Sequence, residues 1–244
     1  MKPVFSLLHA TYGRPEKAIA AMKMANERAS QPGRVEHIFA CNADDPTLVD
    51  FQMGLAAQAP LNGTSPFVVI GNFNGSAPAW NAAANQSVGE VLIQMQDDLE
   101  LPDHWDSVLM KAILANREAC LALMVSPVFV RVSDGYRNDG ICCTAIMNRA
   151  RYLQQGEFLH PGYISVFSDD DVTYRALRDA RDGKCVFVDA REIIFLHRHH
   201  YHDKTVPMDA TYERENSSEA YAVGSELFHK RNPQASTDGL RTWH

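Results

Sequence analysis

Three clusters of side chains in this chain have the types and spacing to do chemistry. The first is Asp97-Asp98, set within residues 90–102, EVLIQMQDDLELP. Adjacent carboxylates on a loop suit a divalent cation, and a cation there suits a phosphorylated substrate. A turn followed by a helix cap is the plainer use of the same acids. The second is Ser168-Asp169-Asp170-Asp171, three acids opening a helical stretch. One of them can take a proton as a general base, although acids at a helix N-terminus also complement its dipole without any catalysis. The third is His197-Arg198-His199-His200-Tyr201-His202. Residues i and i+2 of an extended segment share a face, so His197 and His199 can bind one metal; solvated surface histidines are the alternative.

The elements that must position these clusters read as a repeated strand-helix-strand pattern. Residues 4–8 form a first strand that runs into His9-Ala10-Thr11-Tyr12-Gly13-Arg14-Pro15. Pro15 suits the first turn of a helix, in which Ala18, Met22, Ala25 and Ala29 recur at helical spacing up to Pro32-Gly33. Residues 35–41 are a second strand, leading to the acidic turn Asn42-Ala43-Asp44-Asp45-Pro46, and residues 67–70 a third. A loop rich in Gly and Asn follows. Ser76 is the expected N-cap of an alanine-rich helix that carries Trp80 and Asn81 on its first turns and ends before Gly89. Asn74-Gly75, taken alone, reads as a turn. Trp80 reads equally as core or as an acceptor platform. Val91-Leu92-Ile93 with Met95 is the buried central strand, which puts Asp97 and Asp98 at its carboxyl end, where open α/β sheets bind ligands. Asp103 is the expected cap of a helix with Trp105, Val108, Leu109, Ala112 and Ile113 on one face. Residues 119–125 and 129–132 read as strands, 133–140 as a loop, and 141–152 as strand, helix or both. Residues 172–181 read as a helix ended by Gly183. Residues 186–188 and 193–196 read as two apolar runs. From Thr205 the chain is polar with little periodicity, a tail that wraps the domain or covers the site; Asp209, Tyr212, Glu213 and Asn216 are its candidates for an acceptor site.

The chain has 244 residues, 45% hydrophobic and 22% charged, ordinary for a soluble globular protein and enough for one large α/β domain or two small ones. A net charge of −7 gives no global attraction to nucleic acid or anionic membrane. The five cysteines (Cys41, Cys120, Cys142, Cys143, Cys185) are odd in number and lack CxxC spacing, which favours reduced thiols, with Cys142-Cys143 as core packing. The opening apolar segment is too short for a signal peptide, and no window approaches a membrane span. A cytoplasmic protein is the expectation.

The order of these motifs resembles the family 2 type of nucleotide-sugar glycosyltransferases with the GT-A fold. The resemblance covers roughly residues 4–200 and rests on five matches. SLLHATYGRP is similar to the family's opening strand and its Thr-Tyr-x-Arg-Pro turn. ACNADDP stands at its acidic turn. NGSAPAWNAAANQSVGEVLIQMQDDLELP resembles the segment leading into its metal-binding DxD motif. SDDDVTYRALRDARDG resembles its acidic motif before the late helix, and FLHRHH its late strand ending in histidine. The resemblance implies a single GT-A-like domain over residues 1–204, with a mostly parallel doubly wound sheet and a small antiparallel addition, and a C-terminal extension over 205–244 packing on it. It implies a hexosyltransferase that moves a sugar from a UDP- or GDP-type donor to an acceptor hydroxyl. Thr11, Arg14, Asp44, Asn74, Asn81, Gln96 and Asp97 would line the donor. Asp98, with His197 and His199, would hold Mn²⁺ or Mg²⁺, and Asp169, Asp170 or Asp171 would be the base.

The sequence departs from the family at two places. Aligned on ELP, the DxD motif falls on Gln96-Asp97-Asp98, so an uncharged amide replaces the first acid. Ser168 stands where the family often has Glu. Two other functions compete. A nucleotidyltransferase would use a similar sheet and metal, but HATYGRP lacks a basic glycine-rich phosphate loop. A non-catalytic nucleotide- or carbohydrate-binding protein is favoured by Gln96.

Overall fold

The computed structural model describes residues 2–58, 65–116 and 126–235. The chain begins with β1 (Phe5–Thr11), α1 (Pro15–Arg28), β2 (Val35–Asn42), α2 (Leu48–Ala56) and β3 (Phe67–Gly71). It continues with α3 (Ser76–Gln86), β4 (Val91–Met95), β5 (Leu99–Glu100), α4 (Trp105–Ala115), β6 (Val128–Ser133), β7 (Ile146–Asn148) and α5 (Arg149–Gln155). It closes with α6 (Ser168–Arg181), β8 (Val186–Ile194), β9 (Leu196–His197), α7 (Ala210–Glu215) and α8 (Ser218–Arg231). The expected strand over 119–125, and Cys120 with it, lies outside the described residues.

Among the described residues, seven strands form one sheet in the order β3-β2-β1-β4-β7-β6-β8. β7 runs antiparallel to both its neighbours, and the other pairs are parallel. β5 and β9 form a separate antiparallel pair. This is the mostly parallel sheet with a small antiparallel addition that the sequence led us to expect. The chain walks outward from β1 to β3, then returns to place β4 on the other side of β1. The strand order therefore reverses between β1 and β4, and such a switch point opens a crevice at the carboxyl ends of the two strands.

Alternation along the strands divides the core between the two faces of the sheet. Leu8 and Leu92 join Ala77, Ala83 and Ala84 of α3 on one face. Leu7 and Ile93 join Ala21 and Ala25 of α1 and Trp105, Leu109 and Ile113 of α4 on the other. The small residues of α3 let it lie close on β1 and β2. Trp105 packs edge-on against Phe5, with ring centroids 5.2 Å apart, and its indole N–H donates to the Ala25 carbonyl at 2.8 Å. Among the described residues, no helix is long and apolar enough to cross a membrane.

Several local expectations are corrected. α3 begins at Ser76 itself, with Gly75 in the cap position, because the Ile164 carbonyl receives the Ser76 N–H at 2.7 Å and leaves a side-chain cap without work. Gly75 adopts φ 101°, and a Cβ there would stand 2.2 Å from that carbonyl oxygen, so only glycine fits. His104, not Asp103, precedes α4; Asp103 is exposed, and Asp106 instead accepts the N–H groups of Ser30 and Gln31. Val108 is 37% exposed and leaves the apolar face. Residues 186–194 form one strand, not two runs, and α6 starts at Ser168, four residues earlier than its apolar spacing suggests. The polar tail contains the 14-residue helix α8.

Beneath α1 lies a buried chain of polar groups. His9 Nε2 and His37 Nδ1 are 3.0 Å apart, and Asn26 Nδ2 stands 2.6 Å from His37 Nε2. Burial, with no acid to compensate, drives His37 down to about 3; burial and the neighbouring His37 lower His9 as well. The folded protein therefore binds fewer protons here than the unfolded chain. Stability is full above the ordinary histidine value of about 6.5 and falls as the pH drops below it. His37 is expected to cost about 2 kcal/mol between pH 7 and pH 5, with His9 adding to the loss in the same direction. Urea midpoints at the two pH values check this, and unchanged midpoints would show that the pair is protonated or rearranged in the fold.

Candidate functional site

The crevice between β1 and β4 opens into a cleft of about 870 Å³, closed on its far side by the C-terminal extension. At its base the ends of β1 and β4 meet. Thr11 Oγ1 donates to Asp97 Oδ2 at 3.1 Å, while Asp97 Oδ1 is buried without a hydrogen-bond partner. Burial and the neighbouring Asp98 push Asp97 up to about 7, against the pull of Arg14.

Asp98 behaves in the opposite way. Leu99 of β5 pairs with His197 of β9, and the Asp98 carbonyl receives the Arg198 N–H at 2.8 Å. This register brings His197 Nε2 to 3.2 Å from Asp98 Oδ1. Burial alone would raise Asp98, but the hydrogen bond and charge of His197 hold it below the usual carboxylate range. His197 is itself raised: burial lowers it, but the hydrogen bond to Asp98 and that carboxylate's charge more than offset the burial. Two adjacent aspartates are thus separated into one readily protonated group and one firm anion.

His199 also lines the cleft, its ring centroid 4.9 Å from that of His197 and 4.7 Å from Tyr212. The basis expected for that pairing is corrected: β9 ends at His197, and the His199 N–H folds back on the His197 carbonyl at 2.7 Å, so a tight turn rather than an extended face joins them. Burial and the His197 charge push His199 down to about 4, which leaves its imidazole neutral.

Among the described residues, no three His, Cys, Asp or Glu side chains close into a complete metal cage. The donors present nevertheless suit Mn²⁺ or Mg²⁺. Mg²⁺ is ordinarily held by one or two carboxylates plus substrate phosphates. Asp98 would supply the carboxylate and His197 the imidazole nitrogen beside it, the two now joined by a hydrogen bond at 3.2 Å. Gln96 Nε2 donates to the Cys143 carbonyl at 3.2 Å, and its Oε1 is buried in the cleft wall without a partner, an acceptor without charge.

The three aspartates of α6 have separate fates. Asp169 and Asp170 line the cleft. Burial raises Asp169, with Arg137 and His197 among the charges that oppose the rise. Asp171 is 1% exposed and turns away, bound by Tyr163 Oη at 3.3 Å, Arg231 Nε at 3.1 Å and Asn232 Nδ2 at 2.8 Å. Its place as a possible base is withdrawn, because its carboxylate ties α6 to the end of α8.

Three expected donor residues stand elsewhere. Asp44 is exposed and outside the cleft; its neighbour Asp45 turns inward and accepts the N–H groups of Gly13 at 2.9 Å and Thr47 at 2.8 Å. Asn74 is exposed on the loop and also absent from the lining. Asn81 is a structural clamp: its Oδ1 takes the Phe158 N–H at 2.7 Å, and its Nδ2 donates to the carbonyls of Ala77 and Leu159. Thr11, Arg14, Gln96, Asp97, Asp98, Asp169, Asp170, His197 and His199 do converge on one cleft.

Arg137 and Glu215 escaped the sequence reading, while Trp80, read there as core or acceptor platform, belongs to the core. Arg137 holds Asp139 through Nη2 at 2.6 Å and lies on the Asp169 side. Glu215, raised by burial, enters from α7. Its spacing of three from Tyr212, behind the capping Asp209, is the helical signal that would have found it. Trp80 is 6% exposed and donates to the Met95 carbonyl at 3.2 Å, making it a wall of the cleft. Of the tail candidates, Tyr212 and Asn216 line the cleft, and Asp209 and Glu213 do not.

No family model and no curated protein matches this sequence. Solved structures do resemble it. Residues 1-349 of S. aureus TarS align with a TM-score of 0.59 at 11% identity, over 98% of this chain and 74% of that one. The mannosyltransferase PcManGT from Pyrobaculum calidifontis, in complex with GDP-Man and Mn²⁺, aligns at 0.56 and 14% identity, over 100% and 83%. The same TarS fragment in complex with UDP-GlcNAc gives 0.54 and 12%, over 98% and 75%. The chain has the GT-A-like fold.

Proposed function

We propose that this chain transfers a sugar from a nucleoside-diphosphate donor to an acceptor hydroxyl. The observation that carries the reading is the meeting of Asp98, His197 and Asp169 in one cleft at the sheet's switch point. The structural neighbours bound to GDP-Man with Mn²⁺ and to UDP-GlcNAc support the donor class.

In this reading Asp98 and His197 would hold a divalent cation, Mn²⁺ or Mg²⁺, when one is bound. That cation supplies Lewis-acid stabilisation of the charge developing on the departing diphosphate. Thr11 and the Gln96 amide oxygen face the nucleoside side, where Gln96 Oε1 can accept from a hydroxyl. Asp169 takes the acceptor's proton as its oxygen attacks the anomeric carbon, and a pKa raised by burial suits a base working near neutral pH. Asp170, on the same rim, is the second candidate for that role. Direct attack of this kind inverts the anomeric configuration.

Incubation with UDP-, GDP- and TDP-sugars plus Mn²⁺, following nucleoside diphosphate release, tests the proposal. Release supports it. Pyrophosphate release from a nucleoside triphosphate would indicate nucleotidyl transfer instead. Binding without turnover would favour a binding protein, the reading that the uncharged Gln96 supports.

A further inference from the structure

Arg14 already holds an anion, supplied by the chain itself. Its Nη2 donates to Asp209 Oδ1 at 2.5 Å, and Lys17 Nζ reaches Asp209 Oδ2 at 3.1 Å. One carboxylate from the C-terminal extension thus sits between two cations at the start of α1. Arg14 lines the cleft, and its charge acts on both Asp97 and Asp98. Its Nε is buried with no partner. A diphosphate beside Asp98 would therefore come within the field of the guanidinium that Asp209 now occupies.

The segment bearing Asp209 forms a strap over this end of the cleft. Asp209 Oδ1 caps α7 by accepting the Tyr212 N–H at 2.9 Å. Thr211 Oγ1 donates to the Tyr12 carbonyl at 3.0 Å, and the Arg214 guanidinium stands 4.3 Å from the centroid of the Tyr12 ring. From this anchor the strap sends Tyr212, Glu215 and Asn216 into the cleft.

We propose that Arg14 and Lys17 form a binding site for phosphate oxygens and that Asp209 fills it in the donor-free protein. An arriving diphosphate takes the place of the carboxylate, and the strap resets around the ligand. The exchange swaps one anion for another on the same two cations. The displaced side chain is about one-third exposed, so water receives it readily. Guanidinium and phosphate match in a two-point geometry that a single carboxylate oxygen does not use. The latched form lowers apparent ligand affinity in proportion to its population. The identity of the anion as a nucleoside diphosphate rests on the function proposed above; the site itself does not.

Asp209→Asn separates the two roles of the residue, since Asn keeps an oxygen to cap α7 but removes the charge. Calorimetry with inorganic pyrophosphate, and with UDP and GDP plus Mn²⁺, is expected to show the variant binding roughly 3- to 10-fold more tightly than wild type. Adding Arg14→Gln should erase the gain, and ligand should change hydrogen exchange across residues 205–216 of the wild type. Equal or weaker binding by Asp209→Asn would overturn the proposal and make Asp209 a residue that only positions Arg14. Asp209→Ser, which also caps, repeats the test if the Asn variant folds poorly. A gain with pyrophosphate but no nucleotide binding would leave the anion site standing and sink the nucleotide-sugar reading. Nucleotide binding without a gain would do the reverse.

Discussion

Asp98→Asn is expected to lower Mn²⁺-dependent donor turnover on the order of 100-fold or more, with folding intact. The magnitude follows from removing a charged group from a metal's immediate ligands, where even outlying partners are worth about 10- to 100-fold. Folding should survive because Asp98 sits on the loop after β4. Its backbone carbonyl, which receives the Arg198 N–H, is unchanged, and the Asn amide oxygen can still accept from His197 Nε2 where the carboxylate did. Far-ultraviolet circular dichroism and steady-state kinetics over a Mn²⁺ series make the comparison. Normal turnover in the variant would remove the metal from Asp98.

The second large effect separates aspartates only two residues apart. Asp169→Asn is expected to reduce turnover by about 10²- to 10⁴-fold, the range of a general base, with donor binding close to normal. Asp171→Asn should instead lose stability, by about 2–4 kcal/mol. It would leave Arg231 and its neighbours without the buried anion that joins α6 to α8. Single-turnover rates and denaturation curves on both variants distinguish the roles. If Asp169→Asn turns over normally, the base is Asp170 or the reaction proceeds without one.

Much of the sheet could be read from the chain because buried parallel strands are continuous apolar runs, as in Val91-Leu92-Ile93. The Asp97-Asp98 pair was legible for the same reason: where such a run stops, the carboxyl end of the strand lies. Adjacent acids on a turn were not separable. Nothing local tells that Asp45 points inward to the Gly13 and Thr47 N–H groups while Asp44 points to solvent. Asn81 misled because an amide that bonds four backbone groups looks, in sequence, like an amide awaiting a ligand. α8 was invisible because its buried stripe is Ala220, Gly224 and Phe228, two small residues and one large. Its register is fixed by packing: the Val166 carbonyl oxygen lies 2.8 Å from where a Cβ on Gly224 would stand. Arg137 stood in a polar loop without periodicity, and only the folded arrangement shows it facing the cleft; Glu215 carried a helical spacing from Tyr212 that went unused.

The contact between His197 and Asp98 arises from the small two-stranded sheet. Two-residue strands, β5 and β9, bring together positions nearly a hundred residues apart. The sequence offered both residues as metal ligands, but their pairing depends on a register that neither segment encodes alone.

Anomalous scattering from a crystal grown with Mn²⁺ and UDP or GDP tests the central claim most directly. A manganese peak is expected in contact with the Asp98 carboxylate, His197 Nε2 and the diphosphate. Nucleotide bound in the cleft with manganese elsewhere, or with Asp98 and His197 still paired to each other and touching neither, would contradict it.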